Sequence, residues 1–407
     1  MPFGLSGAEG KAREHSLTRR VLWKLDIHIL PPLALLWLAN FIDRTNVGNA
    51  RIAGLESDTH MKGNQFNTAL AVFYVSYILV ELPSNWVLKK MRPNRWLPLL
   101  VCLWGMVTTL SGLVQSFGGL VAVRIVLGIC EGGILPGMML YLSTIYKRHE
   151  LQLRVGIFYA SASLSGAFGG LLASAIIKMG GIAGLEGWRW IFILEGIATC
   201  LVGAAAALVL PEGISTAKFL TEEEREFAES SRGITDKEKE GELMTEVYDT
   251  NNAVVVVHQE EEQFEWREII RGLVDVQAWL TGIAYLGIIV SLYSYSLFLP
   301  TIVAELGYSV VVAFLADRYK LRGPLIMICL PVNIAGYIMV IAAKSNEVRY
   351  AAVFLIAAGL YPTAPCILSI IPNNTSGHYK KATASALSLA VANTGGFVAT
   401  FVYTQGK

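Results

Sequence analysis

Apolar runs of about 20 residues recur along this chain at 25–48, 66–88, 97–117, 120–142, 155–177, 190–210, 276–299, 324–343, 349–371 and 383–403. A run of that length crosses the hydrocarbon core of a bilayer when coiled as a helix. In lipid, a helix satisfies every backbone N–H and C=O within its own segment, which an open strand does not. The fold class expected is therefore an all-α membrane protein. Six runs precede a polar stretch at 211–275 and four follow it. The organisation expected is a cytosolic tail at 1–24, an N-terminal bundle at 25–210, a cytosolic linker at 211–275 and a C-terminal bundle at 276–407. Within the linker, Thr221-Glu222-Glu223-Glu224 has the capping-box pattern and predicts the start of a short helix.

Composition narrows the function classes. Charged residues make up 16% of the chain, against roughly a quarter in soluble domains. A net charge of +1 argues against a nucleic-acid partner. The five cysteines all lie inside apolar runs and predict no disulfide framework, and the six histidines show no metal-ligand spacing. No nucleophile–base pair, metal cluster or phosphate loop is recognisable, so neither enzymatic activity nor a cofactor is expected. The polar, basic segment before the first full-length run predicts no cleavable signal peptide.

Loop charges orient the chain. Lys11, Arg13, Arg19, Arg20 and Lys24 precede the first run, Lys89, Lys90, Arg92 and Arg95 follow the second, and Lys147, Arg148 and Arg154 follow the fourth. The N-terminus and these loops are expected in the cytosol. The second half departs from that alternation: Val310–Ala316 is too short to cross, yet the basic loop Asp317-Arg318-Tyr319-Lys320 follows it. A span missing between Ser309 and Val310, and another missing after Lys407, restore the pattern. The C-terminal bundle is thus expected to lack two helices, and a truncated, non-transporting product is the alternative functional reading.

The run at 120–142 contains Arg124, Gly128 and Glu131, which a helix places on one face. Ionisable groups at that depth are costly and persist mainly where they face a protein interior or a watery path. Interhelical pairing is the structural alternative. Arg44 and Asp43 lie near the end of the first run, where an interfacial position is also open to them. Glu81 shares a helix face with Tyr74, Tyr77 and Asn85, and suits a gating role or substrate contact. Tyr285, Tyr293, Tyr361 and Asn393 fall within spans of the second half, as substrate contacts or ordinary membrane aromatics and amides.

Six spans, a linker and a second set of spans resemble the plan of the major facilitator superfamily. Gly187-Trp188-Arg189-Trp190-Ile191-Phe192 resembles a signature of that superfamily, and Asp317-Arg318-Tyr319-Lys320 resembles its cytoplasmic loop motif. Asp43-Arg44-Thr45-Asn46-Val47-Gly48-Asn49-Ala50-Arg51 and Glu81-Leu82-Pro83-Ser84-Asn85 look like the anion:cation symporter family, in its fungal allantoate and nicotinate permease group. That resemblance implies two pseudo-symmetric bundles and proton-coupled uptake of a small organic anion across the plasma membrane, by a monomer. By likeness to sialin and the vesicular glutamate transporters, Arg124 and Arg44 are expected at the substrate and Glu131 at the coupled proton. Asn46, Tyr285 and Tyr361 are further candidate substrate contacts, and Asp43, Glu81, Asp317 and Arg318 candidates for gating. Leu70 stands where some of those relatives carry a histidine.

Overall fold

The computed structural model describes residues 8–147, 150–230, 266–296, 322–343, 345–375 and 378–402. The secondary structure described is helical throughout. The first half comprises α1 (Ala8–Ile52), α2 (Gln65–Met91), α3 (Pro93–Ser111), α4 (Phe117–Glu131), α5 (Ile134–Ile145), α6 (Leu151–Ile177) and α7 (Gly187–Val209). The second comprises α8 (Trp266–Leu273), α9 (Val276–Ser296), α10 (Arg322–Ala342), α11 (Asn346–Leu368) and α12 (His378–Val402). Each of the ten apolar runs coincides, over most of its length, with one of these helices or a consecutive pair. Among the described residues, six spans are long and apolar enough by composition to cross a membrane, and α8 with the first part of α9, bent by 47°, adds a seventh. The protein is therefore a multi-pass membrane protein. The gap inferred beside Ser309 and the loop motif at Asp317 lie outside the described residues.

Two features depart from the simple reading of the sequence. The first helix begins at Ala8 rather than at the start of the apolar run, so the basic tail continues the span as helix. The fourth run is broken: α4 ends at Glu131, and Gly132-Gly133 separates it from α5. The break lies where the chain meets α2. A Cβ on Gly133 would collide with Ser84 Oγ, and one on Gly132 with the Tyr77 carbonyl.

Within the first half, α1 packs on α6 and α7, α2 on α4, and α3 on α7; within the second, α9 packs on α12 and α10 on α11. The halves meet where α12 packs on α2 and α11 on α6. The α3–α7 crossing shows why small residues are needed where apolar burial supplies no drive between helices in lipid. A Cβ on Gly105 would lie 2.7 Å from the Gly196 carbonyl oxygen and 2.8 Å from Cys200 N, and one on Gly196 would strike Thr109. Between α1 and α6, Trp37, Phe41, Phe158 and Tyr159 form a buried aromatic cluster with centroid separations of 5.1–6.4 Å. Side chains such as Leu208 and Ile341 are almost fully exposed on the helix exteriors, as expected where the solvent is hydrocarbon.

Charged groups staple the helix ends. Asp26 on α1 accepts two hydrogen bonds from the Arg154 guanidinium on α6, at 3.0 and 2.8 Å. At the opposite end, Asp58 accepts from Arg189 at 2.6 Å and from Trp188 Nε1 at 3.2 Å, while Arg189 also donates to the Gly112 carbonyl at 3.1 Å. Part of the Gly-Trp-Arg-Trp string thus anchors the start of α7 to the neighbouring loops.

The capping box in the linker forms as expected. Thr221 N donates to Glu224 Oε2 at 2.9 Å, Glu224 N donates to Thr221 Oγ1 at 3.4 Å, and residues 222–230 are helical. Lys24 Nζ reaches Glu224 Oε2 at 2.6 Å and Arg13 reaches Glu223 at 2.7 Å, docking this helix on the extension of α1.

Two measurements test these contacts. Gly105→Val forces α3 and α7 apart and is expected to cost about 1–3 kcal/mol, read as a lower unfolding temperature in detergent. Desolvation opposes the Glu224 carboxylate, but Lys24 and the Thr221 cap outweigh it and hold it below the ordinary carboxylate range. Its contribution is therefore complete above about pH 4.3 and lost as the pH falls through the lower folded value. With Lys24 partly open to solvent, the pair is worth about 1 kcal/mol or less. Limited proteolysis at 222–230 is expected to accelerate in Glu224→Gln at neutral pH, and in the unmodified protein only on acidification below that range.

Candidate functional site

α1 delivers four polar side chains to the interior of the first bundle: Asn40, Asp43, Arg44 and Asn46, spaced so that they fan around one side of the helix. α4 contributes Arg124 and Glu131, two turns apart, and α7 contributes Glu195. Asn40, Asp43, Asn46, Arg124, Glu131 and Glu195 are all buried, and Arg44 nearly so.

Glu131 is the best-compensated carboxylate. Arg44 pairs with its Oε1 at 3.1 Å, and Asn40 Nδ2 donates to the same oxygen. The Arg44 guanidinium also lies 5.8 Å from the ring centroids of Phe41 and Tyr77, so aromatic faces supply part of its solvation. Asp43 accepts from Thr108 Oγ1 on α3 at 3.3 Å and lies within electrostatic range of both Arg44 and Arg124. Asn46 turns towards α7, donating to Glu195 Oε2 at 2.9 Å and accepting from Asn49 at 3.1 Å.

Arg124 stands apart from this bonding. It is 4% exposed, its Nε is buried with no hydrogen-bond partner, and no carboxylate among the described residues reaches it as an ion pair. Glu131 Oε2 and Glu195 Oε1 are likewise buried without a partner. A guanidinium presents a planar fork of donors matched to a carboxylate. Left unpaired in a low-dielectric interior, it is a strong attractor for an anion. Gly128, on the same face, serves helix contact: a Cβ there would run into Ser76 Oγ and the Phe73 carbonyl of α2.

A second polar contact joins the two halves. The fully buried Glu81 of α2 accepts from Asn393 Nδ2 of α12 at 3.3 and 3.4 Å. Nearby, Asn85 Nδ2 donates to the Ala382 carbonyl at 3.4 Å. Tyr159 and Tyr285 share a hydrogen bond of 3.1 Å, also between the halves. Tyr285 borders a small crevice with Met139, Ile367, Ser385, Ser388 and Leu389; none of these residues belongs to the charged cluster.

Among the candidates from the sequence, Arg124, Arg44, Glu131, Asp43 and Asn46 gather in this cluster, whereas Glu81 and Tyr285 sit at the contacts between halves. The side chains of Tyr361 and Tyr293 lie outside the described residues, as do Asp317 and Arg318. Leu70 packs in an apolar cluster with Val47, Phe66, Trp188 and Phe192. Sequence reasoning missed Glu195, Asn40 and Thr108. Glu195 carried a readable signal, an acidic residue well inside the apolar run 190–210. Asn40 and Thr108 are neutral and acquire meaning only through their partners.

Comparison with known proteins agrees with this architecture. The chain is 36% identical over 403 residues to an uncharacterized transporter of Schizosaccharomyces pombe, covering 94% of this chain and 77% of that one. It is 30% identical over 404 residues to the high-affinity nicotinic acid transporter of Saccharomyces cerevisiae, covering 94% and 71%. Among solved structures, a human organic anion transporter superposes with a TM-score of 0.61 at 11% identity, covering 93% of this chain and 92% of that one. A proton:xylose symporter bound to a bromo-deoxyglucose gives 0.60 at 14% identity, covering 92% and 88%. The family model of the Major Facilitator Superfamily matches residues 33–400, and the chain belongs to that superfamily.

Proposed function

We propose that this transporter carries a small organic anion, of the nicotinate-like monocarboxylate class, inward across the plasma membrane together with protons, with its N-terminus in the cytosol. The observation that carries the reading is the buried Arg124 guanidinium, with which no carboxylate among the described residues forms an ion pair. A carboxylate substrate is a counter-ion of the right shape and charge. Identity to a nicotinic acid transporter supports the substrate class, and the basic loops of the first half support the orientation.

The neighbouring pair supplies a coupling route. Glu131 holds Arg44 and also accepts from Asn40. Protonating Glu131 removes the charge that holds Arg44 and leaves that guanidinium able to turn to the bound anion. Anion binding and proton uptake then favour one another, because each relieves the imbalance created by the other. Rocking of one bundle against the other exposes the site alternately, with Glu81–Asn393 and Tyr159–Tyr285 among the contacts that such a movement rearranges. A membrane potential contributes about 2.3 kcal/mol per net charge per 100 mV, which drives accumulation whenever protons outnumber the charge on the anion.

Two variants test the assignment through uptake of labelled nicotinate in cells lacking other routes for it. Arg124→Ala is expected to abolish uptake, a loss of at least about 100-fold, with unchanged amounts at the cell surface; normal uptake removes Arg124 from the anion site. Glu131→Gln is expected to retain exchange of internal for external substrate while losing accumulation driven by an inward pH gradient. Retained accumulation in that variant excludes Glu131 as the coupling group.

A further inference from the structure

The charge count of the buried cluster leaves one carboxylate over. Asp43, Glu131 and Glu195 face two guanidiniums, Arg44 and Arg124. Arginine keeps its charge at all accessible pH. With every acid ionised, the buried set carries one net negative charge, and an uncompensated charge in a low-dielectric interior is strongly disfavoured. A proton on one of the acids removes that charge.

The bonding indicates where that proton resides. Glu131 has Arg44 and Asn40 on one oxygen. Asp43 has the Thr108 hydroxyl and two guanidiniums in range. Among the described residues Glu195 has a single neutral donor, Asn46, and its Oε1 is buried with no partner. The charged groups facing Glu195 are Asp43 from α1 and Arg124 and Glu131 from α4. α3 offers the hydroxyls of Thr108 and Thr109, while the charge nearest on α7 itself, Arg189, is committed to Asp58. Once ionised, Glu195 has one cation to turn to among the described residues, Arg124, the group on which the anion depends.

We infer that Glu195 is a protonation switch on the anion site: as the neutral acid it leaves Arg124 open to the substrate, and as the carboxylate it becomes the counter-ion of Arg124 and lowers affinity for the anion. The step is a proton transfer alone, with water supplying the proton to Glu195 and taking it back. This role is separate from that of Glu131, which the proposed function makes the coupling group. Glu195 does not touch the substrate; it acts through Arg124, and the inference rests on Arg124 holding the anion.

Glu195→Gln separates the two roles, because the amide mimics the protonated acid and its oxygen still accepts from Asn46. In the unmodified protein the KM for labelled nicotinate is expected to climb at alkaline pH, towards a limit of about tenfold per pH unit once the proton is lost. In Glu195→Gln that rise is expected to become smaller, keeping only the part due to proton uptake at Glu131, with kcat and gradient-driven accumulation retained. The same alkaline rise of KM in the variant overturns the inference. A second measurement needs no substrate: infrared difference spectra of the purified protein in lipid, taken from mildly acidic to alkaline pH. A carbonyl band of a protonated carboxyl that is present at neutral pH and missing in Glu195→Gln supports the inference, and identical spectra from the two proteins overturn it. Failure of nicotinate uptake in the unmodified protein counts against the proposed substrate, and the infrared result then decides the state of Glu195 independently.

Discussion

Compensation of buried charge inside the first bundle is the constraint around which this structure is arranged. α1, α4 and α7 each bring ionisable side chains into an interior where water cannot solvate them, so each must find a partner, hold a proton or await a ligand. Glu131 finds Arg44 and Asn40; Asp43 finds Thr108. Those contacts fix the rotation of α1 relative to α4 and α3, because turning α1 by one residue swings Asn40, Asp43 and Arg44 by about 100° and separates them from their partners. What remains among the described residues is Arg124, in no ion pair, beside an incompletely bonded Glu195. Such a set suits a site that must accept an anion and release it.

The apolar part of the fold serves this arrangement through close approach. Lipid gives helices little reason to associate by burying apolar surface, so contact depends on fit. Gly105 meeting Gly196, and Gly128 meeting Ser76 and the Phe73 carbonyl, bring α3 to α7 and α4 to α2 within backbone range. The second of these contacts sits one turn from Arg124 and one turn from Glu131, so the glycine that permits packing also sets the depth of both charges relative to α2. At the helix ends, Asp26–Arg154 and Asp58–Arg189 hold α1 to α6 and the start of α7 to the loops before it. They keep the frame of the bundle, while the polar contacts described between the halves include an amide on a carboxylate and a pair of tyrosine hydroxyls.

Particular residues show how far the sequence was readable. The capping box at Thr221 formed in the structure because its physics is local: four consecutive residues bond one another whatever surrounds them. Arg124 and Glu131 were visible because a charge inside an apolar run is costly wherever the helix lies. The turn at Gly132-Gly133 was hidden inside the same run; Tyr77 and Ser84 of another helix leave no room there for a Cβ. Glu195 carried as clear a signal as Glu131, an acid inside an apolar run, three residues beyond the string Gly187–Phe192 that resembles a family signature.

The sequence by itself determined the spans, the superfamily and the residue types that carry charge into the membrane. Length, hydropathy and local bonding depend on neighbours along the chain, and each is enforced by a solvent that tolerates no open backbone. Only the tertiary structure decided which charges meet. Arg124 and Glu131 share a helix face, yet Glu131 is bonded to Arg44 and Asn40 of α1 while Arg124 meets no carboxylate among the described residues as an ion pair. Asn46, a candidate for substrate contact, is engaged by Glu195 of α7. Pairings of this kind depend on the rotation and separation of helices distant in sequence, set by glycine contacts and end staples that no single segment encodes.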